Sequence, residues 1–212
     1  VVKRFASRLK STRIVEYKKS YTKSVYCDDA FAIHKYLKDV GLCTYSYNKY
    51  IPEEYLFSSI EQRKELLAGL FDTDGCVDDG SFRFTTTSER LRDDVLHLVR
   101  SLGYNATWTK DKRAYKYTSG VCYDVFIRTS DEIFHSKKHK ERYAEYLTRK
   151  GKKFRRANCH NRIVKIEYDR MEEAQCLYIN DRDHLYMIDD FVVTHNTFGS
   201  ILSVAEPCLD PL

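Results

Sequence analysis

The sequence predicts an α+β domain followed by a β-rich C-terminal segment, and three observations carry that expectation. Helix-period and strand-period stretches alternate between residues 13 and 148. The 212 residues hold 17 Tyr against 2 Met and 1 Trp, and tyrosine suits strand faces that are half exposed. A basic run, Arg149-Lys150-Gly151-Lys152-Lys153-Phe154-Arg155-Arg156, then breaks the pattern, and only short strand-like stretches recur beyond it.

Within residues 13–26, Ile14-Val15-Glu16-Tyr17 and Ser24-Val25-Tyr26 read as strand. Asp28 or Asp29 can cap a helix running through Lys38, with Phe31, Ile33, Leu37 and Val40 in helical register and Gly41 ending it. Residues 42–58, with Pro52, connect to a second helix from Glu61 to Leu70 that stops at Asp72-Thr73-Asp74-Gly75. Phe82-Arg83-Phe84-Thr85-Thr86-Thr87 alternates as a strand. Ser88 and Glu89 open a helix whose Leu91, Val95, Leu98, Val99 and Leu102 share one face, and Gly103 ends it. Strands follow over 104–117 and 121–128, then a less regular helix over 131–148. Past the basic run, residues 162–168, 174–180, 184–187 and 191–194 read as short strands. The texture change places a linker at 151–160, between a region 1–150 and a region 161–196.

Composition narrows the function classes. A hydrophobic fraction of 42% supports a core, and a net charge of +5 with 32% charged residues permits nucleic acid without demanding it. Cys27, Cys43, Cys76, Cys122, Cys159, Cys176 and Cys208 form no CxxC pair. That spacing argues against structural zinc and against a disulfide framework, so a reducing, intracellular, cytoplasmic setting is expected. No apolar run approaches a membrane span and no signal peptide is evident. Val1-Val2-Lys3-Arg4 does not read as a natural start, so the chain is expected to be truncated, processed or split.

Two stretches carry chemistry. In Leu66-Leu67-Ala68-Gly69-Leu70-Phe71-Asp72-Thr73-Asp74-Gly75, the small Ala68 and Gly69 allow a second helix to approach, and Asp72 and Asp74 stand at the helix end. Two such helices would bring carboxylates together at a spacing that suits Mg²⁺ and a phosphate. Asp72 reads as a helix terminator. The run Leu67-Ala68-Gly69-Leu70-Phe71-Asp72-Thr73-Asp74-Gly75 resembles the signature of the LAGLIDADG homing endonucleases, matching seven of its nine letters. Asn48-Lys49-Tyr50-Ile51-Pro52-Glu53-Glu54-Tyr55-Leu56 resembles the connector before the second such motif. The resemblance implies a motif helix with a β-saddle, double-stranded DNA as partner, and Asp74 as the Mg²⁺-binding acid. It also implies a second motif, which the chain does not contain, so residues 1–47 are expected to be the tail of a first half. Arg83, Lys110, Lys112, Arg113, Lys116 and Arg128, interleaved with aromatics on strands, suit a DNA groove or a solvated strand face.

The second stretch is Val193-Thr194-His195-Asn196-Thr197. An Asn amide can attack its own main-chain carbonyl, a neighbouring His can polarise that carbonyl, and the following Thr hydroxyl can hold an acyl group. Together with 162–166, 173–179 and Asp183-His184-Leu185-Tyr186, the stretch resembles the C-terminal end of an intein, a Hint-type protein-splicing domain. The resemblance implies cyclisation of Asn196, assistance from His195 and His184, and acyl transfer to Thr197, with no cofactor. Cys176 stands where many inteins have Asp. It is read as a buried inert cysteine, as a group that tunes the junction, or as a nucleophile, since Cys176 and Thr194 resemble two markers of a minor intein class. The expected architecture is therefore an α+β endonuclease-like half followed by the β-rich C-terminal part of a Hint fold, with residues 197–212 as the start of a host protein. Splicing in trans with an N-terminal intein fragment is the expected function, in a phage or microbial setting. Thr197 would complete a Gly-Lys-Thr phosphate-binding turn if the host is a P-loop ATPase. The competing reading is a DNA-binding or DNA-cutting protein with an inactive splicing remnant.

Overall fold

A computed structural model describes residues 9–16, 23–78, 81–115, 118–150, 165–168, 170, 171, 173, 179, 180 and 182–195. The chain divides into two compact units, Val1–Cys159 and His160–Leu212, each described by itself.

In the first unit, β1 (Arg13–Glu16) and β2 (Lys23–Tyr26) pair antiparallel, with Arg13 opposite Tyr26 and its guanidinium 5.1 Å from that ring. Helix α1 (Ala30–Asp39) follows. Its last carbonyls are closed by Gly41 N donating to Lys38 O (3.0 Å) and Leu42 N to Leu37 O (2.8 Å). This pair of bonds needs a left-handed residue at the turn, and Gly41 supplies it with φ +71. Tyr36 bonds Glu54 and meets Tyr55 OH at 3.0 Å, joining α1 to the short helix α2 (Glu53–Leu56).

Helix α3 (Ile60–Asp74) starts from a reciprocal cap. Ser59 Oγ accepts from Gln62 N (3.3 Å), and Gln62 Oε1 accepts from Ser59 N (3.1 Å). The helix runs four residues past the Leu70 expected from sequence. Asp72 does not terminate it, because its carboxylate is held by a distant segment. Thr73 donates its hydroxyl back to Leu70 O (2.9 Å), an i−3 bond that the helix accommodates. Gly75 then makes the exit. A Cβ there would stand 2.4 Å from Phe71 O and 2.6 Å from Phe71 Cγ, so only glycine lets the chain turn this closely over Phe71.

Strands β3 (Gly75–Asp78), β4 (Ser81–Thr86), β5 (Asn105–Tyr115) and β6 (Thr118–Arg128) form one antiparallel sheet in the order β3-β4-β6-β5. The β6 strand is longer at the hairpin end than the expected segment. Helix α4 (Glu89–Ser101) lies on the sheet and buries Leu91, Val95, Leu96, Leu98 and Val99. It also buries Arg92, whose guanidinium sits 4.2 Å from the Trp108 ring and 4.7 Å from Tyr123 and pairs with Glu89 at 3.0 Å and Asp93 at 2.7 Å. Aromatic faces and two carboxylates offset the cost of taking that charge out of water. Helix α5 (Lys137–Lys150) begins six residues later than expected. Residues 131–136 are not helical, and Ile133 and Phe134 drop into the core.

That core is aromatic. Phe71 meets Phe82 and Phe134 at 5.8 Å each, Phe82 meets Phe134 at 5.5 Å, and Tyr143 of α5 closes the cluster at 5.2 Å from Phe82. Phe71 is 0% exposed. Phe71→Ala should therefore lower stability by about 3–5 kcal/mol through lost contacts and an unfilled cavity. Denaturant titration checks this by its midpoint. A loss below about 1 kcal/mol would mean that the cluster collapses around the gap.

In the second unit the described residues form one hairpin, β7 (Leu185–Ile188) and β8 (Val192–His195), joined by a helical turn at Asp189–Phe191. Two expected strands shift by one residue. Phe191 is excluded from its strand because it adopts φ +59 in the turn. Residues 165–168, expected as strand, carry no strand pairing, and Ile166 and Tyr168 are exposed. Most of 174–180 lies outside the described residues.

Candidate functional site

Helix α3 delivers two carboxylates to different environments. Asp72 turns inward, its side chain 3% exposed. Its oxygens accept from His135 N (3.0 and 3.1 Å) and Ser136 N (2.9 Å), at the start of α5. A carboxylate there satisfies amide groups that helix geometry leaves unpaired and lies at the favourable end of the α5 dipole. Asp72 is thus a strap between α3 and α5, which agrees with a structural role but not with a helix stop.

His139 lies beside it, 5% exposed, packed on Phe71 at 5.3 Å and Phe134 at 5.9 Å. Its Nδ1 stands 3.6 Å from Asp72 Oδ1, and Nδ1 is buried without a hydrogen-bond partner. Burial pushes the imidazole below its ordinary pKa, against the pull of Asp72. The unfolded chain therefore takes the proton first. The contribution of His139 to stability is complete above about pH 6.5 and is lost as pH falls below that value through the depressed folded-state pKa. A His139→Asn variant should show a flatter fall in melting temperature between about pH 6.5 and 5 than the parent chain. Parallel curves would remove His139 from the acid response.

Asp74, the last residue of α3, is exposed. It lines a cleft of about 230 Å³ with Ser46, Lys49, Phe84, Thr85, Thr86, Thr87, Leu91 and Cys122. The lining residues include one acid, one lysine and a row of threonines. Among the described residues no three His, Cys, Asp or Glu side chains are grouped to hold a metal ion. A cation held by Asp74 would draw its other oxygen ligands from water and a bound phosphate, which is the usual way Mg²⁺ is held. Thr85 Oγ1 donates to the buried Asp124 at 2.6 Å on the same strand pair.

The small residues of α3 divide as well. Ala68 is buried within its own unit, whereas a Cβ on Gly69 would meet nothing within 4 Å. Gly69, with the half-buried Leu66 and Leu70, therefore offers the close-approach face that the sequence assigned to both small residues.

The basic strand residues do not share one face. Arg83 is paired with Phe126, and Arg128 follows two positions later, so both lie on the sheet face turned away from the buried Phe82, Phe84 and Val125. Lys110, opposite Tyr123, lies on the other face, with its ammonium 5.9 Å from that ring. The side chains of Lys112, Arg113 and Lys116 lie outside the described residues.

Of the junction residues, His184 is exposed and adopts φ +50. Its Nδ1 lies 2.7 Å from Ile179 O. A carbonyl only accepts, so Nδ1 carries the proton and Nε2 is the basic nitrogen of the neutral ring. The β7–β8 register pairs Leu185 with His195 and Tyr186 with Thr194. His184 thus immediately precedes the pair at the open end of the hairpin. The His195 side chain, Cys176, Asn196 and Thr197 lie outside the described residues.

Residues 61–148 match the family model of the LAGLIDADG-like domain. The match runs from the first turn of α3 almost to the end of α5, so the helix bearing Asp74, the four-stranded sheet and the Asp72 strap all fall within the matched region. The chain is also 38% identical over 157 residues to a protein named replicative DNA helicase DnaB from Mycobacterium intracellulare. That alignment covers 71% of this chain and 26% of the relative, so the chain spans about a quarter of the relative's length. No helix among the described residues is long and apolar enough to cross a membrane. Sequence reasoning assigned no role to Lys49, His139 or the Asp72 strap. The resemblance of Asn48-Lys49-Tyr50-Ile51-Pro52 to a family connector was the one signal that pointed at Lys49.

Proposed function

We propose that this chain is the C-terminal portion of an intein that carries a LAGLIDADG-type homing endonuclease region, and that it splices in trans with an N-terminal intein fragment. The observation that carries the reading is the hairpin register. It sets His184 at the end from which the chain runs through His195 into Asn196 and Thr197. In this reading the upstream acyl group passes to the Thr197 hydroxyl. The Asn196 amide nitrogen then attacks its own carbonyl, closes a succinimide and releases residues 197–212 joined to the upstream segment through an ester. His195 donates toward the carbonyl oxygen as charge develops there, and His184, through Nε2, moves a proton at the amide or the leaving group. An O-to-N shift restores a peptide bond. Cys176 serves either to tune the junction or as the first nucleophile. The name of the helicase relative supports reading residues 197–212 as the start of a nucleotide-hydrolysing host in which Thr197 completes a phosphate-binding turn.

The LAGLIDADG-like domain, in the same reading, binds duplex DNA with its open sheet face, where Arg83 and Arg128 lie. Asp74 would hold Mg²⁺, which when bound supplies charge stabilisation to a transferring phosphate. Lys49, on the same cleft, would hold a phosphate oxygen. A second LAGLIDADG helix, from the N-terminal fragment or a second copy, would pack on the Gly69 face. The test is mass spectrometry of the chain with and without an N-terminal intein fragment bearing a tagged upstream segment. Joined product that appears only with the fragment is expected. Release of residues 197–212 at full rate by the chain alone would overturn trans-splicing. The match over residues 61–148 alone favours the second reading, a DNA-binding or DNA-cutting protein whose C-terminal region no longer splices.

A further inference from the structure

Three consecutive connector residues are gripped by three residues at the beginning of α4. Ser88, fully buried at the N-cap, donates Oγ to Lys49 O at 2.6 Å while accepting from Leu91 N at 3.1 Å. Arg90 lays its guanidinium 4.0 Å from the centre of the Tyr50 ring. Asp94 accepts from Ile51 N at 2.8 Å. On the far side, Tyr50 OH bonds Val40 O, and the Ile51 side chain is buried in the core cluster. Backbone acceptor, ring and backbone donor are thus each fixed from one helix, over a stretch with no helix or strand of its own. The first of the three residues is the cation that lines the cleft with Asp74.

We propose that Ser88 and Asp94, with Arg90 stacked on Tyr50, are positioning residues that hold Lys49 at the Asp74 cleft so that its ammonium meets a phosphate of duplex DNA. The inference rests on the reading of this cleft as a DNA site. A flexible lysine loses side-chain entropy with each contact it makes. Fixing its backbone removes the further cost of ordering the connector when DNA arrives, which is preorganisation in the ordinary sense. Asp94 is unusual in this role because burial raises its pKa and the fold still keeps it, bonded to a main-chain amide.

The test is the salt dependence of binding by the full chain to a duplex of random sequence, read by anisotropy. Each neutralised phosphate contributes about −0.9 to the slope of log K against log salt. Lys49→Ala should make the slope shallower by about one such step. Asp94→Ala should do the same, and should add nothing in the Lys49→Ala background. Loss of an acid would by itself strengthen DNA binding, so a shallower slope is not what a merely structural Asp94 gives. Asp94→Asn, which keeps an acceptor for Ile51 N, should restore the parent slope. Should Asp94→Ala melt below the assay temperature, Tyr50→Leu carries the same expectation without a charge change. If Lys49→Ala leaves the slope unchanged, the reading of the cleft fails and this inference with it. If Lys49→Ala makes the slope shallower while the clamp variants keep the parent slope, the inference alone is overturned.

Discussion

An Asn196→Ala chain mixed with an N-terminal intein fragment is expected to yield no joined product. In the proposed reading the attacking atom is the Asn196 amide nitrogen, and alanine has no replacement for it. Fixed geometry of such an intramolecular attack contributes about 7–11 kcal/mol over a bimolecular equivalent, so the residual rate should be that of uncatalysed peptide hydrolysis. In that reading the acyl transfer to Thr197 precedes this step and does not need Asn196. A branched ester intermediate should therefore accumulate and fall apart on treatment with hydroxylamine. The DNA binding proposed for the matched region should be unchanged, because residues 61–148 do not include the junction. Joined product from the Asn196→Ala chain would refute the assigned order of events. Absence of joined product from the parent chain, with DNA binding intact, would favour the reading in which the splicing region is a remnant.

The elements that local chemistry decides were legible in the sequence. Gly41 and Gly103 end helices where a left-handed residue is required, with φ of +71 and +75, and the apolar stripe of α4 is the buried stripe. What escaped is what depends on partners far along the chain. Asp72 reads as a helix stop only while its partners, the amides of His135 and Ser136 at separations of 63 and 64 residues, are out of sight. Residues 131–136 read as helix only while the core that Ile133 and Phe134 fill is unknown. The sheet order β3-β4-β6-β5 sends Lys110 and Arg83 to opposite faces, although both look alike as basic residues on strands. The candidate site shows the same division. Asp74 stands out through one contiguous run, whereas Lys49 joins it from a separate connector by way of α4. His184 stands out through its motif, but its tautomer follows only from the carbonyl of Ile179.

On the proposed role of Asp74, Asp74→Asn should remove Mg²⁺-dependent DNA cutting from the chain when it is complemented by a second LAGLIDADG helix, while binding to duplex DNA persists. Asparagine keeps the shape of the side chain and one oxygen, but not the charge that draws a hard divalent cation. Charge stabilisation of a transferring phosphate by a bound metal contributes several kcal/mol, so the cutting rate should fall by about a hundredfold or more. The fold should tolerate the change, since Asp74 is exposed and its contact with Thr73 Oγ1 is a long one, at 3.4 Å. The contrast with Asp72→Asn makes the comparison informative. An asparagine in place of Asp72 would still accept from the amides at the start of α5, but it would lose the charge facing that helix end and His139. Its effect should therefore appear in thermal stability and in the acid response, with Mg²⁺ dependence retained. Cutting that survives Asp74→Asn but not Asp72→Asn would exchange the two roles, and would place the metal beside His139 instead of in the cleft with Lys49.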